Sequence, residues 1–331
     1  MQFATGAKKN FTYLRPVTGR SDPAGNTQLK TISLILAAID IGSNAARLLI
    51  TEVERGLNGN PEFIKLNLVR VPLRLGFDVF EYKKISAEKE QMIINTLQAY
   101  KYLLDAYRVE HFKACATAAM RDAENAASVL ERVKQATGIQ VDVITGDEEA
   151  SIIYENHVAE SLDRDRAYLY IDVGGGSTEL TLFNNNSLIF KESFDIGTIR
   201  LLKNQVTEEK WMEVKDFLKE ETKSFKNLVA IGTGGNINKV FSMSKKKDGK
   251  PLPLELLKDY HKEMGSFSVY QRMRVYNMRE DRADVIVPAL QIFINVMRWA
   301  DAGEVWVPKI GLADGLIKHL YKQVRMRGME V

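Results

Sequence analysis

Two short stretches of the sequence each place an aspartate directly before a turn of small residues. In AIDIGSNAARLLI this residue is Asp40, and in YIDVGGGSTELTLF it is Asp172. The two stretches align without a gap, and the alternation of polar and apolar residues predicts a β-hairpin for each. Backbone N–H groups in such turns form nests for phosphate oxygens, and hydroxyl groups add further donors. The candidate phosphate-binding residues are Asp40, Gly42, Ser43, Asn44, Gly174, Gly175, Gly176, Ser177 and Thr178.

The two aspartates also indicate a metal ion. Carboxylates and phosphates repel each other, so a cation is needed between them, and hard divalent cations such as Mg²⁺ prefer carboxylate oxygens. We therefore expect Asp40 and Asp172 to face magnesium, with Glu179 on the following strand as a further ligand. An ordinary exposed position on an alternating strand is the other interpretation of Glu179.

A third turn, in LVAIGTGGNINKV, comprises Gly232, Thr233, Gly234 and Gly235. It follows an apolar strand and opens a helix, whose free N–H groups and partial positive charge favour an anion. A plain strand-to-helix connection would look the same when taken alone. Together with the two hairpin turns, it predicts a ligand that carries several phosphates.

The stretch TGDEEAS places three acidic residues in a row at a predicted helix start. Helix capping and the helix dipole account for Asp147 and Glu148. Glu149 lies one step further along, near the expected junction of the two halves of the chain. A carboxylate in that place could deprotonate the water that attacks a phosphoanhydride, and Glu149 is our candidate for this role.

Arg121, in ATAAMRDAEN, stands where a predicted strand gives way to a helix. From there its guanidinium could bind a phosphoryl oxygen in the forked geometry that arginine provides. A surface ion pair with Asp122 or Glu124 is the alternative.

The elements that must position these residues alternate between strands and helices in both halves of the chain. This alternation predicts the α/β class, with two lobes that contain mixed sheets and flank a phosphate-binding cleft. We expect a poorly ordered basic extension at residues 1–34, a first domain at 35–152 and a second domain at 153–331. The closing helix near GLADGLIKHLYKQV could instead pack back on the first domain.

Charge and cysteine content limit the classes of function. The net charge of +3 resides in residues 1–34, which carry five Lys and Arg residues against one Asp, so the remaining chain has −1. A passive tail is preferred over a nucleic-acid-binding arm. The apolar run TISLILAAI is too short to span a bilayer, so no membrane association is expected. The single cysteine, Cys115, excludes an internal disulfide and suits a reducing cytoplasm.

Six motifs resemble the exopolyphosphatase / guanosine-pentaphosphate phosphohydrolase family over about residues 35–325. In chain order they are AIDIGSNAARLLI, ATAAMRDAEN, VITGDEEASIIY, YIDVGGGSTEL, AIGTGGNINKV and GLADGLI. That family belongs to the actin-like, sugar-kinase and heat-shock ATPase superfamily, so the resemblance implies two ribonuclease-H-like domains around a phosphate-binding cleft. It also implies that Glu149 is the general base and that Asp172 and Glu179 are associated with magnesium. The three turns and Arg121 would then line the cleft.

The resemblance implies a magnesium-dependent phosphohydrolase that releases terminal phosphate from inorganic polyphosphate, guanosine pentaphosphate, or both. Three alternatives stay open: a kinase of the same superfamily, a non-catalytic sensor of polyphosphate or an alarmone, and a nucleic-acid-binding protein recruited by the basic extension. The sensor would keep the turns but would not depend on Glu149.

Some features depart from the family pattern. Many members carry a glycine-rich loop where this chain has RLGFDVFEYKKIS, and Pro-Gly where it has Pro288 and Ala289. The chain looks like the short, two-domain form, without the C-terminal helical module of longer members. A dimer platform built from that module is therefore not expected, and a homodimer of another kind stays open.

Overall fold

The computed structural model describes residues 33–56, 58–157, 166–185, 187–247, 249–308 and 311–328. Of the extension predicted for residues 1–34, only Ser33 and Leu34 lie within the described residues, and Leu34 already begins the first strand.

The strands in the described part of the chain are short to medium in length and form two sheets. They are β1 Leu34–Ile41, β2 Ala46–Arg55, β3 Pro61–Val71, β4 His111–Ala116, β5 Asp142–Val143, β6 Ala167–Val173, β7 Thr178–Asn184, β8 Ser187–Phe194, β9 Val229–Thr233, β10 Leu252–Pro253 and β11 Glu304–Trp306.

The helices cover these sheets and connect their strands. They are α1 Leu75–Tyr82, α2 Ala87–Ala106, α3 Ala118–Asp122, α4 Ala126–Thr137, α5 Gly146–His157, α6 Thr198–Leu202, α7 Glu208–Thr222, α8 Gly235–Met243, α9 Leu254–Gly265, α10 Val269–Val275, α11 Glu280–Ala283, α12 Ile286–Trp299 and α13 Leu312–Gly328. Helix α1 was not anticipated from the sequence, and between β10 and β11 the chain forms four consecutive helices, α9 to α12.

The two sheets repeat the same strand order, which confirms the predicted α/β class with mixed sheets. The first sheet has the order β3-β2-β1-β4-β5, and the second contains β8-β7-β6-β9-β11 with β10 added at the edge. In each sheet the first three strands are antiparallel and the fourth runs parallel to the central strand. The duplicated hairpin of the sequence is therefore part of a duplicated sheet.

Apolar side chains bury both faces of the first sheet. One face packs on α2 and α4, where Leu97 and Val133 are fully buried. The other face packs on the last helix, α13, through Leu316 and Ile317. The second sheet has a core of its own, to which α7, α8, α9 and α12 contribute. The domain boundary between residues 152 and 153 stays a prediction.

Helix α13 also lies against α5, and a glycine makes this possible. A Cβ on Gly315 would lie 2.4 Å from the carbonyl oxygen of Ile152, far inside van der Waals contact. The first turn of α5 carries Glu149, so the close approach of the two helices fixes the position of that carboxylate relative to the first sheet.

Candidate active site

The turns that follow β1 and β6 meet at one cleft between the sheets. The N–H groups of Gly42 and Gly174 each close their own turn by a backbone hydrogen bond, with N···O distances of 3.0 and 2.9 Å. A Cβ on Gly175 would lie 2.7 Å from the Cβ of Ser43, so a larger residue would push the two turns apart. The cleft has a volume of about 780 Å³, including the part open to solvent.

Most of the residues singled out in the sequence lie around this cleft. They are Asp40, Gly42, Ser43, Asn44, Glu149, Asp172, Gly174, Gly175, Gly176, Ser177, Glu179, Gly234 and Gly235. The structure therefore brings together parts of all three glycine-rich turns with the candidate base and the candidate metal ligands.

Four of the predicted site residues are not among those that line the cleft: Arg121, Thr178, Gly232 and Thr233. The Thr178 hydroxyl donates to the carbonyl of Ile196 at 2.5 Å. Gly232 is packed in the core, where a Cβ would lie 3.0 Å from Val305, and Thr233 is 1% exposed. The end of β9 thus supports the third turn, and only its two last glycines reach the cleft.

Three carboxylates converge on one side of the cleft. Oxygen atoms of Glu149, Asp172 and Glu179 all lie within 4.8 Å of one another. Asp172 is near the end of β6, Glu179 pairs with it across the hairpin on β7, and Glu149 comes from the first turn of α5. We call these three residues the acid triad. Oxygen ligands in such a group could hold a divalent cation.

Burial raises the pKa of every member of the acid triad, and repulsion within the triad raises the pKa of Glu149 and Glu179 further. For Glu149, burial raises the pKa well above its ordinary value, Glu179 and Asp172 raise it further, and Arg121 lowers it. For Glu179, burial and the charge of Asp172 raise the pKa to about 7. Burial also raises the pKa of Asp172. Carboxylates in this state favour a proton or a cation between them.

Two hydroxyl groups fix the orientation of Glu179. The Ser177 hydroxyl donates to Oε1 of Glu179 at 2.5 Å, and the Ser193 hydroxyl donates to the same oxygen at 3.2 Å. Because both donors use Oε1, neither occupies Oε2. Glu179 is 4% exposed, so the interpretation as an exposed strand residue is wrong.

Arg121 contacts Glu149 and is not part of a surface pair. Its Nη1 donates to the carbonyl of Ile144 at 2.8 Å and lies 3.3 Å from Oε2 of Glu149. Asp122 pairs instead with Arg200, and Glu124 with Lys84. Arg121 therefore contacts the candidate base without lining the cleft itself.

Asp40 lines the cleft but lies outside the acid triad. Its carboxylate accepts a hydrogen bond from Nη1 of Arg47 at 2.9 Å. Burial raises the Asp40 pKa, and the charge of Arg47 lowers it. The expectation that Asp40 is a metal ligand stays a prediction, and the structure shows a cation of the protein itself at this carboxylate.

Three arginines that were not predicted from the sequence line the cleft, namely Arg47, Arg70 and Arg282. Arg70 is paired with Asp281, whereas the described residues provide no carboxylate partner for Arg282. Burial and the nearby charges of Arg70 and Arg47 lower the Arg282 pKa to about 10, so this side chain is still cationic at neutral pH. The only signal for Arg47 was its place on the strand after the first turn, and Arg282 lies in a charged stretch without a motif.

Within the described residues, none of the helices combines the length and the apolar character needed to cross a bilayer.

A family model described as the Ppx/GppA phosphatase family matches residues 58–323. A bifunctional 3-dehydroquinate synthase/phosphatase of Fusobacterium nucleatum is 35% identical over 238 residues, which are 65% of this chain and 35% of that protein. A guanosine-5'-triphosphate,3'-diphosphate pyrophosphatase of Vibrio vulnificus is 24% identical over 316 residues, which are 91% of this chain and 61% of that protein.

Solved structures share the fold. The Aquifex aeolicus member of the Ppx/GppA protein family is 28% identical, with a TM-score of 0.67 over 88% of this chain and 99% of that one. An exopolyphosphatase from Cytophaga hutchinsonii is 24% identical, with a TM-score of 0.74 over 87% of this chain and 98% of that one. The chain spans only 35% and 61% of the two curated relatives but nearly all of these solved chains. Its fold consists of two actin-like domains with mixed sheets.

Proposed function

Because the chain belongs to the Ppx/GppA phosphatase family, we propose that it is a phosphohydrolase acting on inorganic polyphosphate, guanosine pentaphosphate, or both. It would release the terminal phosphate of these substrates by attack of water on the phosphoanhydride. The observation that carries this proposal is the acid triad, whose oxygens lie within 4.8 Å of one another beside two glycine-rich turns. A purely structural role would not explain three carboxylates this close together, two of them half-buried and Glu179 buried, because removing like charges from water is costly.

The acid triad fits a hard divalent cation. All of its donor atoms are carboxylate oxygens, and burial together with mutual repulsion raises the pKa of Glu149 and Glu179 despite the charge of Arg121. Asp172 and Glu179 would hold the ion, which we propose to be Mg²⁺. When bound, the ion would polarise the phosphoryl group and offset the negative charge that develops on it.

Glu149 is the proposed general base. In the reaction, the water oxygen forms a bond to the terminal phosphorus, the bridging P–O bond breaks, and the water proton passes to the Glu149 carboxylate. The raised pKa makes this carboxylate a good proton acceptor once it is ionised. Arg121 keeps the carboxylate oriented through its contact at 3.3 Å.

The remaining lining residues would bind the phosphates. The N–H groups of Gly42 and Gly174 already close their turns, so the backbone N–H groups of the residues that follow them in each turn would be the donors, and the Ser43 hydroxyl would add another. Arg47, Arg70 and Arg282 place positive charge along the cleft and would neutralise the leaving phosphate chain. We propose a cytoplasmic location, where such substrates occur.

Phosphate release by the purified protein tests this proposal. The protein would be incubated with MgCl₂ and, in parallel, long polyphosphate, tripolyphosphate and guanosine pentaphosphate, using the wild type, Glu149→Gln and Glu148→Gln. Glu148 is the matched control because it is exposed and only accepts from the backbone N–H of Thr145. We expect Glu149→Gln to lose about 10²-fold or more in rate, and Glu148→Gln to retain activity.

The same experiment separates the enzyme from the sensor. Tight binding of substrate with no release in any variant would contradict hydrolysis and favour a phosphate-chain sensor. Equal release by the wild type and Glu149→Gln would overturn the assignment of the base but not the activity.

A further inference from the structure

A second groove lies between α9 and α12 and shares no lining residue with the candidate active site. It has a volume of about 660 Å³, including the part open to solvent. We call it the α9–α12 groove. Its lining residues are Lys258 and His261 from α9, and Gln291, Ile294, Asn295 and Arg298 from α12.

Helix geometry places the polar groups of the groove in two facing rows. Gln291, Asn295 and Arg298 follow one another at spacings of four and three residues and so lie on one face of α12. This row is about 10 Å long at the usual rise per residue. Lys258 and His261 have a spacing of three residues on α9. The groove is therefore elongated and has polar walls, with the buried Ile294 between the polar residues of α12.

The polar side chains of the groove are largely unpaired. In the described part of the chain, none of the side chains of His261, Gln291, Asn295 and Arg298 has a hydrogen-bond or ion-pair partner. Lys258 pairs with Glu255 at 2.6 Å, but Glu255 is 77% exposed, and such surface pairs are weak. Among the described residues that line the groove, none carries a carboxylate.

The chemistry of the groove selects an anion. Arg298 has no acidic partner among the described residues and Lys258 has only the exposed Glu255, so the groove attracts negative charge, and the amide and imidazole N–H groups can donate to its oxygens. Phe, Tyr and Trp are missing from the described lining, so the groove lacks a large aromatic surface for a nucleobase. An elongated anion with oxygens along its length matches the row of donors on α12.

We propose that the α9–α12 groove is a second anion site, which binds phosphate or a short phosphate chain without hydrolysing it. The described lining contains no acid that could serve as a base or hold a metal, so bound phosphoanhydrides would stay intact. The choice of phosphate compounds as ligands rests on the function proposed above, whereas the anion chemistry of the groove does not.

The test counts binding sites in the full chain. Tripolyphosphate would be titrated calorimetrically into Glu149→Gln, the parent protein, in which turnover is prevented. It would also be titrated into the groove variant, which is the parent with Lys258→Gln and Arg298→Gln added. The matched control adds Lys134→Gln and Arg325→Gln, two exposed cations elsewhere without a partner among the described residues. We expect two bound equivalents in the parent and in the control. In the groove variant the second equivalent should bind about tenfold more weakly or be lost, because each charge-assisted hydrogen bond is strong.

Orthophosphate distinguishes the two sources of this ligand chemistry. If orthophosphate displaces the groove-bound tripolyphosphate at a concentration similar to that of tripolyphosphate, the ligand is the reaction product. If tripolyphosphate stays bound, the ligand is the phosphate chain. An unchanged number and affinity of sites in the groove variant overturns the proposal.

Phosphate release distinguishes the groove proposal from the proposed function. It is measured with Lys258→Gln and Arg298→Gln introduced into the protein that retains Glu149. Release that is unaffected by the groove variant, together with loss of one bound equivalent, supports a separate site. Loss of that equivalent in a protein that hydrolyses no phosphate compound would contradict the proposed function and leave the groove intact as an anion site. If hydrolysis is normal and no binding depends on Lys258 and Arg298, only the proposal of an anion site in the groove is overturned.

Discussion

Arg47 occupies in the first hairpin the position that Glu179 occupies in the second. Asp40 pairs across β1 and β2 with Arg47, and Asp172 pairs across β6 and β7 with Glu179. The duplicated aspartate thus faces a cation in one copy and another acid in the other. Only the second copy accumulates negative charge, which explains why the candidate cation site belongs to one half of a duplicated fold.

Replacement of Arg47 tests the charge balance of the first hairpin. Arg47→Met leaves the carboxylate of Asp40, which is 3% exposed as a residue, without its partner. We expect a loss of about 1–3 kcal/mol in the free energy of unfolding. Burial already raises the Asp40 pKa and Arg47 lowers it, so the variant raises it further. The folded state then favours the protonated acid, and the loss is larger at pH 8 than at pH 5.

Urea denaturation at both pH values measures this effect. Arg55→Met, at the exposed end of the same strand, is the control and should change stability little. An equal loss at pH 5 and pH 8 would contradict the electrostatic explanation.

Neutralisation of Glu179 is expected to stabilise the protein when divalent cations are removed. The Glu179 pKa is about 7 in the folded protein against an ordinary value of 4.5, so the folded state binds more protons than the unfolded state between these values. This contribution to stability is present at low pH and is lost as the pH rises through 7. Glu179→Gln should therefore be more stable than the wild type at pH 8, by about 1–3 kcal/mol, with a smaller gain at pH 5.

Thermal unfolding with EDTA and with MgCl₂ checks this prediction. Magnesium should raise the Tm of the wild type and of Glu192→Gln, an exposed residue on β8, but not that of Glu179→Gln. If Glu179→Gln is less stable than the wild type at pH 8 with EDTA, the ionised Glu179 carboxylate does not destabilise the folded state, which contradicts the prediction.

Arg121 is expected to set the acidic limit of activity. Its charge lowers the pKa of Glu149, so Arg121→Met should raise that pKa and move the acidic limb of kcat/KM toward higher pH. Activity at pH 7 should fall by about tenfold or more. Arg121→Lys keeps the charge and should leave the limb near its wild-type position. A lower rate with an unchanged pH profile in Arg121→Met would point to direct phosphate binding instead.

Gly197 is expected to be essential for the shape of the second turn. A Cβ on Gly197 would lie 2.4 Å from the carbonyl oxygen of Gly175, while the following N–H groups of Thr198 and Ile199 donate to the turn. Gly197→Ala should cost about 2 kcal/mol or more of stability and raise KM, because backbone cannot yield as a side chain does. Gly303→Ala, with no atom within 4 Å of its Cβ, should stay within about 1 kcal/mol of the wild type. Denaturant unfolding and KM of both variants measure the difference, and similar values would contradict the prediction.

The sequence by itself determined the elements that local pattern controls. Period-two alternation around Asp40 and Asp172 was sufficient to place both hairpins, since side chains of a strand alternate between its faces. The gapless alignment of the two stretches predicted two hairpins of one design, which lie in sheets of the same strand order, and three acids at a helix start located Glu149 in α5. These features depend on neighbours in the chain, which a sequence displays directly.

Tertiary structure alone decided which of these residues share a site. It brought Glu149 to within 4.8 Å of Asp172 and Glu179, and it excluded Gly232 from the cleft by packing it in the core. It also added Arg282, whose approach to Gly235 joins segments about fifty residues apart in the chain. The physical reason is that the packing of α5, α11 and α13 on the sheets decides which side chains touch, how deeply they are buried and which charges lie near them. Burial and nearby charges then set the pKa values of the site. Periodicity along a chain carries no record of that packing.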